Sequence, residues 1–307
     1  TEFGVSVDES SGASQLHVFD GQVDAKAPGS KELLSSIFAG ETLEHSDGKL
    51  TTAETPADGT YPQPGEIGYL RWQLWKDQLV EDSSLIAFFP FAKDSEFPDL
   101  LENQVETNVV SDGKIQQARW VSGRWPGKQA LLFDRPNNRD AVTLNLSGTY
   151  EELTISTWLK VNRFDHGQTS LINSDGWKDG GLHLQFSRSA HIRNGFFSIP
   201  QKPVRGVTKP IDLGKWRHVV SVISQPRGTS EIYIDGEIVH QSALSSPGLL
   251  APGSCQLGNW LRRPDWPHSP IRAFKGRIDE LAIWNRALSR SEIEFHYEAG
   301  RPNLIDD

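Results

Sequence analysis

The chain has 307 residues, a 36% apolar fraction, and 31 basic against 40 acidic side chains for a formal charge of −9. That length suits two modest domains or one large β domain, and the acidic balance argues against a nucleic-acid groove, which needs a basic footprint. No apolar run approaches the roughly 18 residues of a membrane span, and a single cysteine, Cys255, excludes an internal disulfide and an all-cysteine metal site. Ten tryptophans supply large core formers and flat platforms for ligands such as sugar rings. The chain has no methionine, so Thr1 is read as lying downstream of a natural start, with an upstream portion expected.

Residues 1–25 alternate. Phe3, Val5 and Val7 share one face, and a polar turn over 8–14 leads to Leu16, Val18, Gly21 and Val23. This period of two predicts a hairpin of half-buried strands. Residues 47–65 are polar, with Pro56, Pro62 and Pro64, and read as a linker. At Glu66 the period changes. Ile67, Leu70, Leu74, Gln78 and Leu79, flanked by Trp72 and Trp75, form a helical stripe. A connecting helix is expected there, packed through its tryptophans on a neighbour.

From Ser84 onward short strands alternate with turns: 85–89, 130–133, 141–144, 153–161, 170–173, 181–186, 195–199, 216–223 and 229–234. Asp235-Gly236, between Ile234 and Glu237, is the clearest hairpin turn. The closing stretch, 274–299, begins as a strand. Ile278, Glu280, Ala282 and Trp284 should share one face, opposite Arg277, Asp279, Leu281, Ile283 and Asn285. A helix follows. Ser289 and Glu292 have the spacing of a capping box, and Gly300 and Pro302 mark its stop. Many short strands and one closing helix mean an antiparallel sandwich.

Two family resemblances refine this reading. Thr1-Glu2-Phe3-Gly4-Val5, Leu16-His17-Val18-Phe19-Asp20-Gly21-Gln22-Val23 and Ala39-Gly40-Glu41 resemble part of a FecR-like (ferric-citrate-regulator-like) periplasmic domain of bacteria. That resemblance covers about the first fifth of the chain. It implies a periplasmic or extracellular location and a membrane anchor in an upstream segment.

The second resemblance runs from Ser84 to Pro302, about seven-tenths of the chain. Its motifs include Phe89-Pro90-Phe91, Leu132-Phe133-Asp134, Leu153-Thr154-Ile155-Ser156-Thr157-Trp158-Leu159-Lys160 and Gly214-Lys215-Trp216-Arg217-His218-Val219. Ile232-Tyr233-Ile234-Asp235-Gly236, Leu257-Gly258-Asn259-Trp260, Gly276-Arg277-Ile278-Asp279-Glu280-Leu281 and Asn285-Arg286-Ala287-Leu288-Ser289 follow in order. These are similar to a laminin-G-like jelly roll of the concanavalin A-like lectin/glucanase class. The expected fold is mainly β: a two-sheet antiparallel jelly-roll sandwich with a short closing helix, a small N-terminal β segment and a connecting helix. The expected segments are 1–60, the partial FecR-like domain; 61–83, linker and helix; 84–302, the jelly roll; and 303–307, a tail.

The resemblance raises three chemical questions. Glucanases of this class carry a Glu-x-Asp-x-x-Glu strand, and no such strand is present here. Asp279 and Glu280 are adjacent, so regular alternation would point them to opposite faces. Related folds often hold a structural calcium near the closing strand. Asp279 is the ligand the resemblance implies, with Asp94 replacing the acid absent at Ala92. The alternative is that Asp279 pairs with Arg277 or a backbone N–H. A sugar site is the third question. Strand 181–187 sets Leu182, Leu184 and Phe186 against His183, Gln185 and Ser187, and the polar face would line the concave groove. Loops carrying Asp175 and Trp177, and Asn259, Trp260, Arg262, Asp265 and Trp266, add stacking surface and hydrogen-bonding groups.

The leading expectation is therefore a non-catalytic module that recognises a glycan or a protein surface within an extracytoplasmic regulator, with no nucleic-acid partner and no membrane contact in these residues. The alternatives are a protein-interaction or structural domain with no glycan site, and a glycoside hydrolase with an unrecognised carboxylate pair.

Overall fold

The computed structural model describes residues 1–7, 11–27, 29, 32–46, 48–54, 64–107, 109–176, 178–196, 210–244, 248–261 and 270–302. Alternation builds the N-terminal unit, residues 1–67. Its strands are β1 (Glu2–Val7), β2 (Ser14–Asp20), β3 (Gln22–Lys26), β4 (Leu33–Phe38), β5 (Glu41–Ser46) and β6 (Lys49–Glu54). They form a sheet in the order β1-β2-β5-β6 and a separate β3-β4 hairpin. Gly21, at φ +80°, breaks what the sequence reads as one strand from Leu16 to Val23. Val18, Ile37 and Leu43 make the small core. Phe3, Val5 and Val7 are 51%, 58% and 62% exposed on the edge strand, more than half-burial would give.

The second unit, residues 68–307, holds the sandwich. Most of α1 (Pro64–Leu79) belongs to it. Then come β7 (Leu85–Phe89), β8 (Leu100–Leu101), β9 (Gly113–Gln116), β10 (Arg119–Ser122), β11 (Gln129–Phe133), β12 (Ala141–Leu146) and β13 (Glu152–Val161). β14 (Gln168–Ser174), β15 (Leu182–Ser187), β16 (Ile192–Phe196), β17 (Trp216–Ser224), β18 (Thr229–Ile234), β19 (Glu237–Ala243), β20 (Gly253–Leu257), β21 (Gly276–Trp284) and α2 (Arg290–Gly300) complete it. One sheet runs β10-β11-β21-β13-β17-β18-β19, with β7 also paired to β21. The other runs β16-β15-β14-β20-β12-β9-β8. Phe89, Leu131, Phe133, Leu159, Leu184, Phe186 and Ile283 fill the space between them. The Asp235-Gly236 turn has φ +54° and +79°, the two positive values that a type I′ hairpin requires.

A second apolar layer covers the outer face of the eight-stranded sheet. Trp72, Trp75 and Leu79 of α1 pack with Trp125, Val220, Val222, Trp284 and Ile293. Leu70 and Leu74, placed in the helical stripe by their spacing, are instead 51% and 69% exposed. The indole rings offer more apolar area than leucines, so the helix turns its tryptophan face inward. Arg71 fastens α1 to the end of α2, donating to the carbonyls of Ala299 (3.3 Å) and Arg301 (2.7 Å). The Ser289–Glu292 capping box forms at the start of α2.

Beneath this layer lies a buried ionic cluster created by β21. Trp158 of β13 faces Glu280, while Leu159 faces Ile278, so Asp279 is the extra residue of a β-bulge. The bulge resets the alternation. Ile278, Leu281 and Ile283 enter the inter-sheet core, Ala282 and Trp284 face the helices, and the two adjacent acids reach one cation. Arg124 Nε lies 2.7 Å from Asp279 Oδ1, an ion pair off the hydrogen-bonding direction, and Nη2 lies 2.8 Å from Glu280 Oε2. Its guanidinium sits 4.5 Å from the rings of both Trp125 and Trp158, and Nη1 donates to Gly300 O at 2.7 Å. A Cβ on Gly300 would stand 2.7 Å from Trp158 Nε1 and 2.8 Å from Arg124 Nη1, so glycine is required at this approach. Trp72 Nε1 donates to Glu280 Oε2. Lys128, 3.7 Å from Asp279, donates to the carbonyls of Pro90, Gln129 and Asp279; burial lowers its pKa to about 8 against the pull of the nearby acids.

Two expected outcomes follow from this layer. Arg124→Met should destabilise the second unit by about 3–5 kcal/mol, because it leaves Asp279 and Glu280 buried with less compensation. Arg119→Met, which breaks the exposed pair with Asp134, should cost at most about 1 kcal/mol. Urea titration of both variants measures the difference, and equal midpoints would refute the role given to Arg124. The second outcome concerns histidine. His296 lies between Trp75 (5.4 Å) and Trp284 (5.2 Å), and burial lowers its pKa to about 4. His218 packs in a three-ring cluster with Trp158 (5.0 Å) and Tyr297 (6.3 Å), which also stack on each other (5.9 Å), and its pKa is lowered well below 6.5 by burial, by repulsion from any proton taken up at His296 and by the Arg124 charge. Both stay neutral in the fold, where the unfolded chain binds protons below about 6.5. The stabilisation is present above that pH and is lost as pH falls through the lowered folded-state values, about 4 for His296. Melting temperature should drop across this window, and His296→Phe, which keeps a ring in the stack, should flatten the drop. An identical pH profile for the variant would count against this account.

Candidate functional site

The outer face of the seven-stranded sheet is polar because its strands alternate. On β15, Leu182, Leu184 and Phe186 enter the core, and His183 and Gln185 face away. Pairing extends this row across the sheet: His183 faces Asn173, Asn173 faces Gln256, and Gln256 faces Thr143. Gln116 Nε2 of β9 then donates to Thr143 Oγ1 at 2.7 Å.

At the β15 end this face is closed by the chain itself. Trp260 stands edge-on to His183 at 5.5 Å and donates from Nε1 to Ser174 O at 3.1 Å. The Arg272 guanidinium lies 4.3 Å from the Trp260 ring. His183 Nε2–H donates to Gly176 O, leaving Nδ1 to accept from Gln185 Nε2, both at 3.2 Å. That is a neutral tautomer, and burial holds His183 down at about 4. Burial lowers Arg272 to about 10. Asp175 is clamped by Ser254 Oγ (2.6 Å) and Gln256 Nε2 (2.8 Å). Asp175, His183, Gln185 and Trp260, expected as sugar contacts, are thus brought together. All but the Trp260 edge, however, are engaged in closing the sheet face rather than lining an open groove. Trp177, Arg262, Asp265 and Trp266 lie outside the described residues.

The open space lies at the neighbouring edge. A cleft of about 490 Å³ is lined by Gln116 at the end of β9 and Gln117 just after it, by Asn137, Asn138 and Arg139 between β11 and β12, and by Asn259, Trp260, Leu261 and Ile271. Asn259 holds its loops together. Its Nδ2 donates to the carbonyls of Asn138 (2.9 Å) and Asp140 (3.0 Å), and its Oδ1 accepts from Trp260 N–H at 2.8 Å. Gln117 and Asn138 both have left-handed backbones, φ +59° and +54°. Asparagine tolerates that conformation, but for glutamine it is strained. Gln117 is pinned by Arg135 Nε on its carbonyl and Asn137 Nδ2 on its Oε1, each at 2.8 Å.

The carboxylates of this loop are engaged elsewhere. Asp134 pairs with Arg119 at 2.9 Å. Asp140 is buried and accepts from Arg135 N–H at 2.6 Å; burial raises its pKa above the usual carboxylate range despite that bond. Among the described residues the cleft therefore presents carboxamides, one guanidinium, an indole and the aliphatic Leu261 and Ile271. Sequence reading found Asn259 and Trp260 but passed over Gln117, Asn137 and Arg139, which no aromatic neighbour in the sequence marks out. The available signal was the Asn-Asn pair of loop 134–140, a residue type suited to positive φ.

The calcium expected at Asp279 and Asp94 does not fit these residues. Asp279 is fully buried, with Oδ2 accepting from Arg124 N–H at 2.8 Å and Oδ1 facing Arg124 and Lys128. Two side-chain cations hold the place a metal would need. Asp94 is exposed and caps its own turn, accepting from Glu96 N–H (2.6 Å) and Phe97 N–H (3.1 Å). Of the two readings of Asp279, the structure has the backbone N–H contact, with Arg124 in place of Arg277.

A laminin-G-type family model, described as the concanavalin A-like lectin/glucanases superfamily, matches residues 136–294. Among solved structures, the binding domain of Paraclostridial Mosquitocidal Protein 1 superposes with a TM-score of 0.55 at 15% identity, over 71% of this chain and 52% of that one. Domain 4 of AbnA, a GH43 extracellular arabinanase from Geobacillus stearothermophilus solved with arabinotriose, gives 0.51 at 20% identity, over 70% and 98%. A sialidase of Trypanosoma rangeli gives 0.51 at 13% identity, over 84% and 42%. The chain thus spans about half of the toxin domain and nearly all of the arabinanase domain. At such identities the likeness shows the fold alone. No curated protein matches the chain. With a family match over more than half of its length, carried on a two-sheet antiparallel sandwich, the chain belongs to the concanavalin A-like lectin/glucanase superfamily.

Proposed function

We propose that this chain is a non-catalytic binding module that holds a carbohydrate in the cleft between Gln117, Asn137, Arg139 and Asn259. The observation that carries this reading is the lining itself. A carboxamide offers both donors and an acceptor, which is what sugar hydroxyls require; Gln117 turns its Nε2 donors to no described partner while Asn137 and Asn259 brace the loops around it, and Trp260 adds an apolar surface. The described lining contains no carboxylate, whereas glycoside hydrolysis needs a pair of them. Asp279 and Glu280, the adjacent acids of β21, are buried against Arg124 and cannot reach a substrate. Structural neighbours that include the binding domain of a mosquitocidal toxin and a domain solved with arabinotriose support a binding role.

The same reading makes the module the recognition end of an extracytoplasmic regulator. The FecR-like residues of the N-terminal strands support it. Fractionation of cells that produce the native protein should recover it outside the cytoplasm; a cytoplasmic protein would refute this placement.

The binding test uses the full chain on a glycan array and on insoluble polysaccharides. Retention of at least one glycan is expected, with Gln117→Ala and Asn137→Ala each weakening it about fivefold, the worth of one net hydrogen bond. Melting temperature reports whether the variants stay folded. Release of reducing sugar from a bound glycan would overturn the non-catalytic reading. Failure to retain any glycan would overturn the carbohydrate reading in favour of a protein ligand.

A further inference from the structure

Arg139 stands out among the residues that line the cleft. Its backbone N–H donates to Asn137 Oδ1 at 3.2 Å, but its exposed guanidinium has neither an ion pair nor a hydrogen bond within the described structure. Most other arginines near acids are engaged: Arg119 with Asp134, Arg217 with Asp212 and Asp235, Arg286 with Asp82 and Glu292, and Arg301 with Glu298. The two acids of its own loop are turned to Arg119 and Arg135. In a chain of net charge −9, the described lining of the cleft therefore carries one unmatched positive charge and no negative one.

The charge is also placed. Asn137 bonds at once to the Arg139 backbone through Oδ1 and to Gln117 Oε1 through Nδ2. Asn259 ties the carbonyls on either side of Arg139, those of Asn138 and Asp140. The loop base is thereby fixed, and the guanidinium extends from it as a planar fork, the geometry that takes two oxygens of an anion at once. A wall of neutral amides beside it supplies hydroxyl partners without competing for the charge.

We infer that the cleft takes an acidic glycan, whose carboxylate or sulfate is bound by Arg139 while its hydroxyls meet Gln117 and the neighbouring amides. This inference rests on the carbohydrate-binding reading above. Asn137 is a positioning residue, since it acts by holding the Arg139 backbone and the Gln117 side chain.

The test compares four probes against the full chain by calorimetry: a galacturonic acid tetramer, the same tetramer as its methyl ester, a carrageenan oligosaccharide and a neutral arabinan oligosaccharide. A uronate ligand predicts binding of the tetramer and at least a tenfold loss on esterification. A sulfate ligand predicts that carrageenan is the probe bound. In either case Arg139→Gln should cost at least tenfold, Arg139→Lys should restore part of that, and rising salt should weaken binding. Arg188→Gln, an equal change of net charge at an exposed site on β15's turn, should leave affinity unchanged. If the neutral probe binds as well as the acidic ones, or Arg139→Gln binds at wild-type strength, the acidic-glycan inference fails and the carbohydrate reading stands. If none of the four binds, and the array retains nothing, both fail.

Discussion

The helix side of the sandwich depends on one buried guanidinium. A bulge at Asp279 turns two neighbouring carboxylates toward the same place, in a layer with almost no solvent. Two such charges cannot remain there alone, because the desolvation of each costs several kcal/mol. Arg124 answers both and is itself stacked between two indoles, while its remaining donor reaches the last carbonyl of α2. Every surrounding element then has a reason for its position. Trp72 brings α1 onto the cluster, Gly300 lets α2 approach, and Arg71 ties the two helices together. The helix at 64–79 is thus not merely a connector; its tryptophans form the lid over this ionic layer.

The opposite sheet meets a related constraint by a different route. Its outward row of His183, Asn173, Gln256 and Gln185 is uncharged, so it can be covered with hydrogen bonds and aromatic contacts instead of ion pairs. Trp260 and Arg272 provide that cover. The consequence for the proposed binding is a displaced opening. With the sheet face closed at the β15 end, open concave surface remains where loops 117–118, 137–139 and 259–261 meet.

How much of this was legible in the sequence follows from the range of the interactions. Alternation, the Asp235-Gly236 turn and the Ser289–Glu292 cap are local, and each shows directly in the spacing of residues. The ordered motifs carried the sandwich architecture. The bulge at Asp279 is not local: it exists because β13 opposes Trp158 to Glu280 and Leu159 to Ile278, a register set by two strands more than a hundred residues apart. Hence the regular alternation assigned to Asp279 and Glu280 fails. The same holds for Leu70 and Leu74, where helical period gives a stripe but only the partner surface decides which stripe is buried. At the site, Asn259 and Trp260 announced themselves as an aromatic beside a polar group. Gln117 and Arg139 became visible only when three separated loops were brought together.

Rigidity and free side-chain capacity are divided within the cleft in a way that bears on the binding proposed for it. Gln117 holds a left-handed backbone that costs on the order of 1–3 kcal/mol, and hydrogen bonds from Arg135 and Asn137 offset it. Asn259 likewise uses its amide on the opposing loop rather than on solvent. Asn137 and Asn259 thus spend donors internally, and among the described lining residues the Arg139 guanidinium and the Gln117 Nε2 donors keep unused capacity. A ligand entering such a cleft meets a backbone already fixed. Little loop ordering is then charged against its affinity, and specificity falls to the few side-chain atoms that still lack partners.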